Sequence, residues 1–365
     1  MSAPAIEYLF ITSDYLVSIE GQVTALSAST RLGCILPTRA LMRLGYDARA
    51  YSVATDTTAA EAVVPSAKRI VFGEMAESPQ AWAPSIAAYR RLLALVPDAH
   101  RRVLFSIADD HFDEAEFSAF YRDVLPRCLA VTTVSPELAA TVERLTDRPV
   151  HVSPEPCEGA RGEPHAYAAR RPPALLGWLA RRIGLPEDLW RVRLLWFGYP
   201  VNLPPLLAML PALEELARKY PLLLTCVTNP VPEMMALLTP ERTSERAALR
   251  IRFLPWAPQV VEREIAASDV VLIPSEYRDP VKQAKSPNRL VAGLHGGRFV
   301  VAHPLPAYAP YREFAWVAED LVAGLHWAIT HPKEVLARIA RGQVYVDERH
   351  SPEAVARFWL DVWAT

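Results

Sequence analysis

Short apolar runs and longer amphipathic stretches alternate along nearly the whole chain, and Gly, Pro, Ser or Asp falls at most of the joints between them. Short runs such as EYLFIT (7–12), RIVFG (69–73), VLFSI (103–107) and AVTTV (130–134) read as strands. Their alternation with helices argues for parallel sheets in an α/β fold. Strands are also expected at 48–53 and 150–153, with helices at 27–44, 79–95, 114–126 and 136–145. Gly45 ends the first helix, Ser135 caps the last, and a polar loop runs from Ser13 to Gln22. The rhythm breaks over 154–192, which is rich in Pro and Arg. Within it, ALLGWLARRIGL has the pattern of a short amphipathic helix, fit to cover a domain junction or to touch a membrane. The alternation then restarts. Strands are expected at 194–198, 222–228, 251–256, 269–274 and 298–302, and helices at 203–219, 232–238, 259–267, after Asn288 up to Gly296, and at 318–330, 333–341 and 352–363. Two successive α/β runs predict two Rossmann-like domains facing each other across a cleft, with boundaries 1–165, a junction 166–192, and 193–351.

Composition narrows the class. The chain has 365 residues, 51% of them hydrophobic, enough for two ordinary cores. A formal net charge of −2 argues against a nucleic-acid binder driven by bulk electrostatics. Cys34, Cys128, Cys157 and Cys226 are far apart, with no C-x-x-C pair, so reduced thiols in a cytosolic protein are expected and not a zinc site or disulfide framework. The N-terminus lacks a basic leader and carries Glu7 and Asp14, and no apolar run approaches a membrane span. The expected location is the cytoplasm, with peripheral contact to the inner face of the plasma membrane as the second option. The richness in Ala, Arg, Leu and Pro suits a high-GC bacterial genome.

In an open α/β sheet, ligands gather at the carboxyl ends of the strands, so the loops after strands hold the candidate chemistry. The strongest lies in 269–303, DVVLIPSEYRDPVKQAKSPNRLVAGLHGGRFVVAH. A short strand leads into a loop carrying Ser275, Glu276, Lys282, Lys285, Ser286 and Asn288, and a helix with Arg289 in its first turn follows. Free N–H groups at a helix start, with lysines and an arginine beside them, suit a diphosphate. Solvated surface lysines are the plain alternative. After strand 103–107 come Asp109, Asp110 and His111. They could orient or deprotonate a substrate, or Asp110 or Asp113 could merely cap the next helix. After 194–198 come Gly198, Tyr199 and Asn202, either a close approach to phosphate or a turn with Asn202 as N-cap. Trp256 is placed either to wall a nucleobase or to fill a core. His295 and His303 read as structural. No strand is followed by G-x-G-x-x-G, which disfavours a dinucleotide dehydrogenase.

The string SPNRLVAGLHGGRFVV resembles the donor-site segment of GT-B glycosyltransferases, in particular glycosyltransferase family 4, whose pattern is close to S-P-x-K-L-x-E-x-M-A-x-G-x-P-V-V. Ser286, Pro287, Arg289, Leu290, Gly297, Val300 and Val301 match it. The family's two glutamates, eight residues apart, fall here on Ala284 and Ala292, and Glu276 or Asp279 are the nearby acids that could replace them. The resemblance implies a GT-B fold, with the last helix crossing back onto the first domain. It also implies sugar transfer from a nucleotide-sugar with retention of configuration, no metal or other cofactor, and a saccharide or lipid-linked acceptor, as in bacterial surface-glycan synthesis. On this reading Lys285, Arg289 and helix N–H groups stabilise the leaving diphosphate, and His111, Asp110 or Asp109 orients the reacting sugars. Two alternatives accompany it: a nucleotide-sugar epimerase on the same scaffold, and a non-catalytic nucleotide-sugar-binding or partner protein.

Overall fold

The computed structural model describes residues 6–19, 21–75, 79–167, 190–245 and 247–364. The chain divides into two compact units. One comprises Met1–Pro156 with Gln283–Ser286 and Arg349–Thr365, the other Cys157–Lys282 with Pro287–Glu348. The expected amphipathic helix and most of the junction lie outside the described residues.

Among the described residues of the first unit, eight strands occur: β1 (Tyr8–Thr12), β2 (Leu16–Ile19), β3 (Gln22–Ala25), β4 (Ala48–Ser52), β5 (Arg69–Phe72), β6 (Val103–Ile107), β7 (Ala130–Thr133) and β8 (Val150–Val152). Six of them form one parallel sheet in the order β4-β1-β5-β6-β7-β8. β1 and β7 are buried along their whole length, the threonines Thr12, Thr132 and Thr133 included, as strands covered on both faces are. One core packs Leu9, Ile70, Phe72 and Phe105 against Tyr89, Leu92, Phe117 and Phe120. A second packs Phe10 and Leu104 against Leu41, Val355 and Trp359. Through Trp359, edge-on to Phe10 at 5.2 Å, the terminal helix Pro352–Val362 is part of this unit.

Three local features depart from the sequence expectation. The stretch from Ser13 to Gln22 is not a plain loop but most of an antiparallel hairpin of β2 and β3, turning at Gly21 (φ 78°). The helix expected over 27–44 is interrupted by a π turn, Arg31–Ile35, before Leu36–Arg43. Pro37 has no N–H to give back along the helix, and the wider turn, with Leu36 N–H on the Arg31 carbonyl, takes up the mismatch. An additional helix, Thr57–Val63, is capped by Asp56, whose carboxylate accepts the Ala59 N–H at 2.8 Å.

The second unit holds β9 (Val192–Phe197), β10 (Leu222–Thr228), β11 (Leu249–Pro255), β12 (Val270–Ile273), β13 (Phe299–Ala302) and β14 (Trp316–Val317). All are parallel, in the order β11-β10-β9-β12-β13-β14. This is the doubly wound order, reversing between β9 and β12. Leu194, Trp196, Leu224, Leu272 and Phe299 face one core, and Leu195, Val271, Val300 and Leu290 face the other, so the strands are covered on both sides. The second unit begins at Cys157, ahead of the expected junction, because the strap after it joins this sheet's helices. Gly162 N–H bonds the His295 carbonyl at 2.9 Å, and His165 bridges Arg298.

Candidate functional site

Because every strand of the second sheet runs the same way, the segments after them collect at one edge. At the order reversal, the turn after β9 and the segment after β12 come together. Gly198 closes β9 in an open approach, its N–H on the Val227 carbonyl at 3.2 Å. A Cβ there would lie 3.4 Å from Nη1 of Arg289 and 3.8 Å from the Asn202 amide. Asn202 does not cap the following helix, whose N-cap is Leu203 without a side-chain bond. Its Oδ1 instead accepts Lys282 Nζ at 2.9 Å. Gly198, Asn202, Lys282 and Arg289 therefore form one cluster.

Arg289 sits in the first turn of the helix Asn288–His295, whose N-cap, Pro287, makes no side-chain cap bond. Its Nη1 is buried and has no hydrogen-bond partner among the described residues. Tyr308, raised by burial and pulled back by the neighbouring Arg289, flanks the guanidinium. Ser275, 8% exposed, lies at the start of the segment after β12 with its hydroxyl unpartnered among the described residues. His303 Nδ1 lies 2.9 Å from its amide N and 2.7 Å from its carbonyl O. Burial keeps that imidazole's pKa low, so His303 braces the loop, as expected of a structural histidine. Glu276 is exposed, and Ser286 and Asn288 are half-buried at the helix entrance. Tyr199 and Trp256, from the ends of β9 and β11, lie nearly parallel, 6.5 Å between centroids at 20°.

Lys285 is placed differently from the other basic residues. It belongs with the first unit, where its ammonium is bound by the carboxylate of Asp109. Its neighbour Ala284 is buried in that unit's core, and the Ala284 carbonyl accepts Ser135 Oγ at 2.7 Å. One of the two positions where the resemblance sets a glutamate is thus a packed alanine. The other, Ala292, is half-buried within the Asn288–His295 helix.

In the first sheet the strand order reverses between β1 and β5, and the loop after β6 brings the Asp109 N–H onto Glu74, just past the end of β5. Asp110 Oδ1 accepts the Phe112 N–H at 3.3 Å, a local turn, and the helix Ala115–Val124 starts at Glu114 with no side-chain cap. Neither Asp110 nor Asp113 is that helix's cap. His111 is half-buried against Trp82 (6.0 Å) and Phe117 (5.5 Å).

One residue here went unread in the sequence. Glu74 directly follows Gly73 at the end of β5, is 6% exposed, and accepts the N–H groups of Ala108 and Asp109 on Oε2, the latter at 3.2 Å. An acid immediately after a buried apolar run was the available signal. Among the described residues, no group of three or more His, Cys, Asp or Glu is placed to hold a metal ion. No described helix is long and apolar enough to cross a membrane.

No protein-family profile matches the chain, and no curated protein matches it in sequence. Solved structures do. An alpha-glucosyltransferase in complex with UDP-glucose and abasic DNA superposes with a TM-score of 0.66 at 10% identity, over 98% of this chain and 99% of that one. Anabaena HepE in complex with UDP and glucose gives 0.62 at 12%, over 99% and 100%. S. aureus TarM gives 0.54 at 8%, over 81% of this chain and 55% of that one, so the chain spans about half of TarM's length. These are GT-B glycosyltransferases, and the fold of the present chain, two α/β domains each built on a six-stranded parallel sheet, is the GT-B fold.

Proposed function

We propose that this chain is a nucleotide-sugar-dependent glycosyltransferase whose donor site is the β9–β12 edge of the second unit. The observation that carries this is the buried, unpartnered Nη1 of Arg289 beside Gly198, with Lys282 held nearby on Asn202. The guanidinium, half-buried and also bonded to Tyr308, leaves Nη1 alone without an acceptor among the described residues; a buried N–H in that state is costly, and an oxyanion is its natural partner. Arg289, Lys282 and the N–H groups of the Asn288–His295 helix would carry the charge of the leaving diphosphate, which is electrostatic catalysis with no need of a metal. Ser275 and Glu276 would contact sugar hydroxyls, Ser286 and Asn288 the phosphates, and Tyr199 with Trp256 the base. Asp109, Asp110 and His111 would serve the acceptor.

The segment 286–301 further supports kinship with family 4, hence retention of configuration and class 2.4 transfer. UDP or UDP-glucose bound to HepE and to the alpha-glucosyltransferase makes uridine the first nucleotide to try. A saccharide or lipid-linked acceptor of a bacterial surface glycan, met in the cytoplasm or at the inner face of the membrane, completes the proposal. The decisive experiment is thermal unfolding with UDP, GDP, dTDP and their sugar conjugates, on the wild type and Arg289→Ala. Stabilisation by one nucleotide, absent from the variant, supports the site; no response to any of them removes it.

A second reading has its own observation. With Ala284 packed in a core and Ala292 lacking a carboxylate, the chain offers neither family acid for the donor sugar. A non-catalytic nucleotide-sugar-binding protein would show nucleotide stabilisation without turnover of any donor.

A further inference from the structure

We propose that Glu74 is a positioning residue that holds the 108–111 loop by its backbone and, through Asp109, sets the place of Lys285. The proposal rests on the reading of Asp109, Asp110 and His111 as the acceptor-side groups.

The geometry is a chain of three groups within the first unit. Glu74 is anchored from behind: Gly73 N–H bonds the Ile11 carbonyl at 2.7 Å, and the buried Tyr89 hydroxyl reaches the carbonyls of both Ile11 (3.3 Å) and Gly73 (3.1 Å). A Cβ at Gly73 would lie 3.2 Å from the Ile11 carbonyl, so the backbone leading into Glu74 has little room to shift. From this anchor a single carboxylate oxygen takes two consecutive N–H groups, those of Ala108 and Asp109. That fixes the direction of the loop as it leaves β6, and with it the Asp109 side chain, whose carboxylate binds Lys285. Both amides share Oε2, which leaves Oε1 as the oxygen able to carry a proton.

Among the described residues, the titratable groups around Glu74 are Asp109, Lys285, Tyr89 and Tyr121. Burial, followed by the charge of Asp109, pushes the Glu74 carboxyl up to about 8, against the pull of the two amides and Lys285. Near neutrality the proton sits on Glu74 and the ion pair belongs to Asp109 and Lys285. At higher pH a second carboxylate appears beside Asp109 and competes for the same ammonium. The loop's hold on Lys285 is therefore tied to one proton.

The test uses the full chain as wild type, Glu74→Ala and Glu74→Gln, and has two readouts. Without ligand, amide hydrogen exchange is followed at residues 108 and 109. Glu74→Ala should accelerate it by about tenfold, the loss of one hydrogen bond per amide, while Glu74→Gln, whose amide oxygen still accepts, restores protection at pH 7. Unchanged exchange in the alanine variant overturns the proposal. In the second readout UDP-glucose is the probe donor and its cleavage is measured from pH 6 to 9. Glu74→Ala should lower kcat with KM for the donor held within about twofold, and Glu74→Gln should recover kcat at pH 7 but lose the wild-type change near pH 8. A glutamine variant as impaired as alanine, or one with the wild-type pH profile, also overturns it. If the wild type neither binds nor cleaves any nucleotide-sugar, the donor-site reading fails, and the exchange readout still decides the role of Glu74.

Discussion

Asp269 grips Arg193 three times: its Oδ2 accepts the Arg193 backbone N–H at 2.8 Å and Nε at 3.2 Å, and its Oδ1 accepts Nη2 at 2.7 Å. His165 adds a fourth contact, Nε2 to Oδ1 at 2.8 Å. This pair lies at the amino ends of β9 and β12, the two strands between which the sheet order reverses. Their carboxyl ends carry Gly198 and Ser275. The ion pair fixes at one end the strands that present the candidate site at the other.

We expect Asp269→Ala to cost about 3–5 kcal/mol, because it strands a buried guanidinium. The Asp269 carboxyl is also held below the usual range: burial would raise it, but the bonds from His165 and Arg193 outweigh burial. Its stabilisation is then present above the unfolded pKa and lost as pH falls through the lower folded one. Urea unfolding of wild type and variant between pH 2 and 7 should show the gap narrowing only on the acid side.

Glu74 should act on stability in the opposite sense. With its folded pKa raised to about 8, the folded chain binds the proton more tightly than the unfolded one. Its contribution is fully present below the unfolded pKa and falls as pH rises to about 8, by up to about 1.4 kcal/mol per unit. Unfolding free energies at pH 5 and pH 9 should differ less in Glu74→Gln than in the wild type; an equal difference refutes the titration.

Arg289→Ala and Lys285→Ala should separate in nucleotide binding. Arg289 is in the β9–β12 cluster and Lys285 is on Asp109. At a nucleotide concentration ~100 times Kd the wild type should gain about 2.7 kcal/mol. Calorimetry should find most of that gain lost in Arg289→Ala and most of it kept in Lys285→Ala. Equal losses would put both lysine and arginine on the diphosphate.

Gly297→Ala should destabilise the chain by a few kcal/mol, although in the sequence Gly297 shows only as a glycine that follows a helix. Its φ is 72°, and a Cβ would come 2.2 Å from the Glu163 carbonyl oxygen. The opposing Gly162 would meet the Gly296 carbonyl at the same 2.2 Å. A thermal midpoint within a degree or two of wild type would mean that the strap at 162–165 can give way.

The short, mostly apolar runs such as VLFSI and LLLTCVT determined the strands, and their alternation with helices determined two parallel-sheet units. The helix start near 288, the glycine stop at 296–297 and the collection of basic and polar residues before it were equally local. What the chain could not show by itself is which distant groups meet. The hairpin after β1 needed pairing, and the π turn needed a packed helix to accommodate Pro37. Asn202 read as either a phosphate contact or a cap, and it is the partner of Lys282. Lys285 looked like one of three diphosphate ligands and is bound to Asp109. Glu74 is an ordinary acid in sequence; its raised proton affinity exists only because the fold buries it and turns the N–H groups of Ala108 and Asp109 toward it. Periodicity is written in neighbouring residues, whereas burial, charge pairing and the meeting of loops at a strand-order reversal depend on residues tens to hundreds of positions apart.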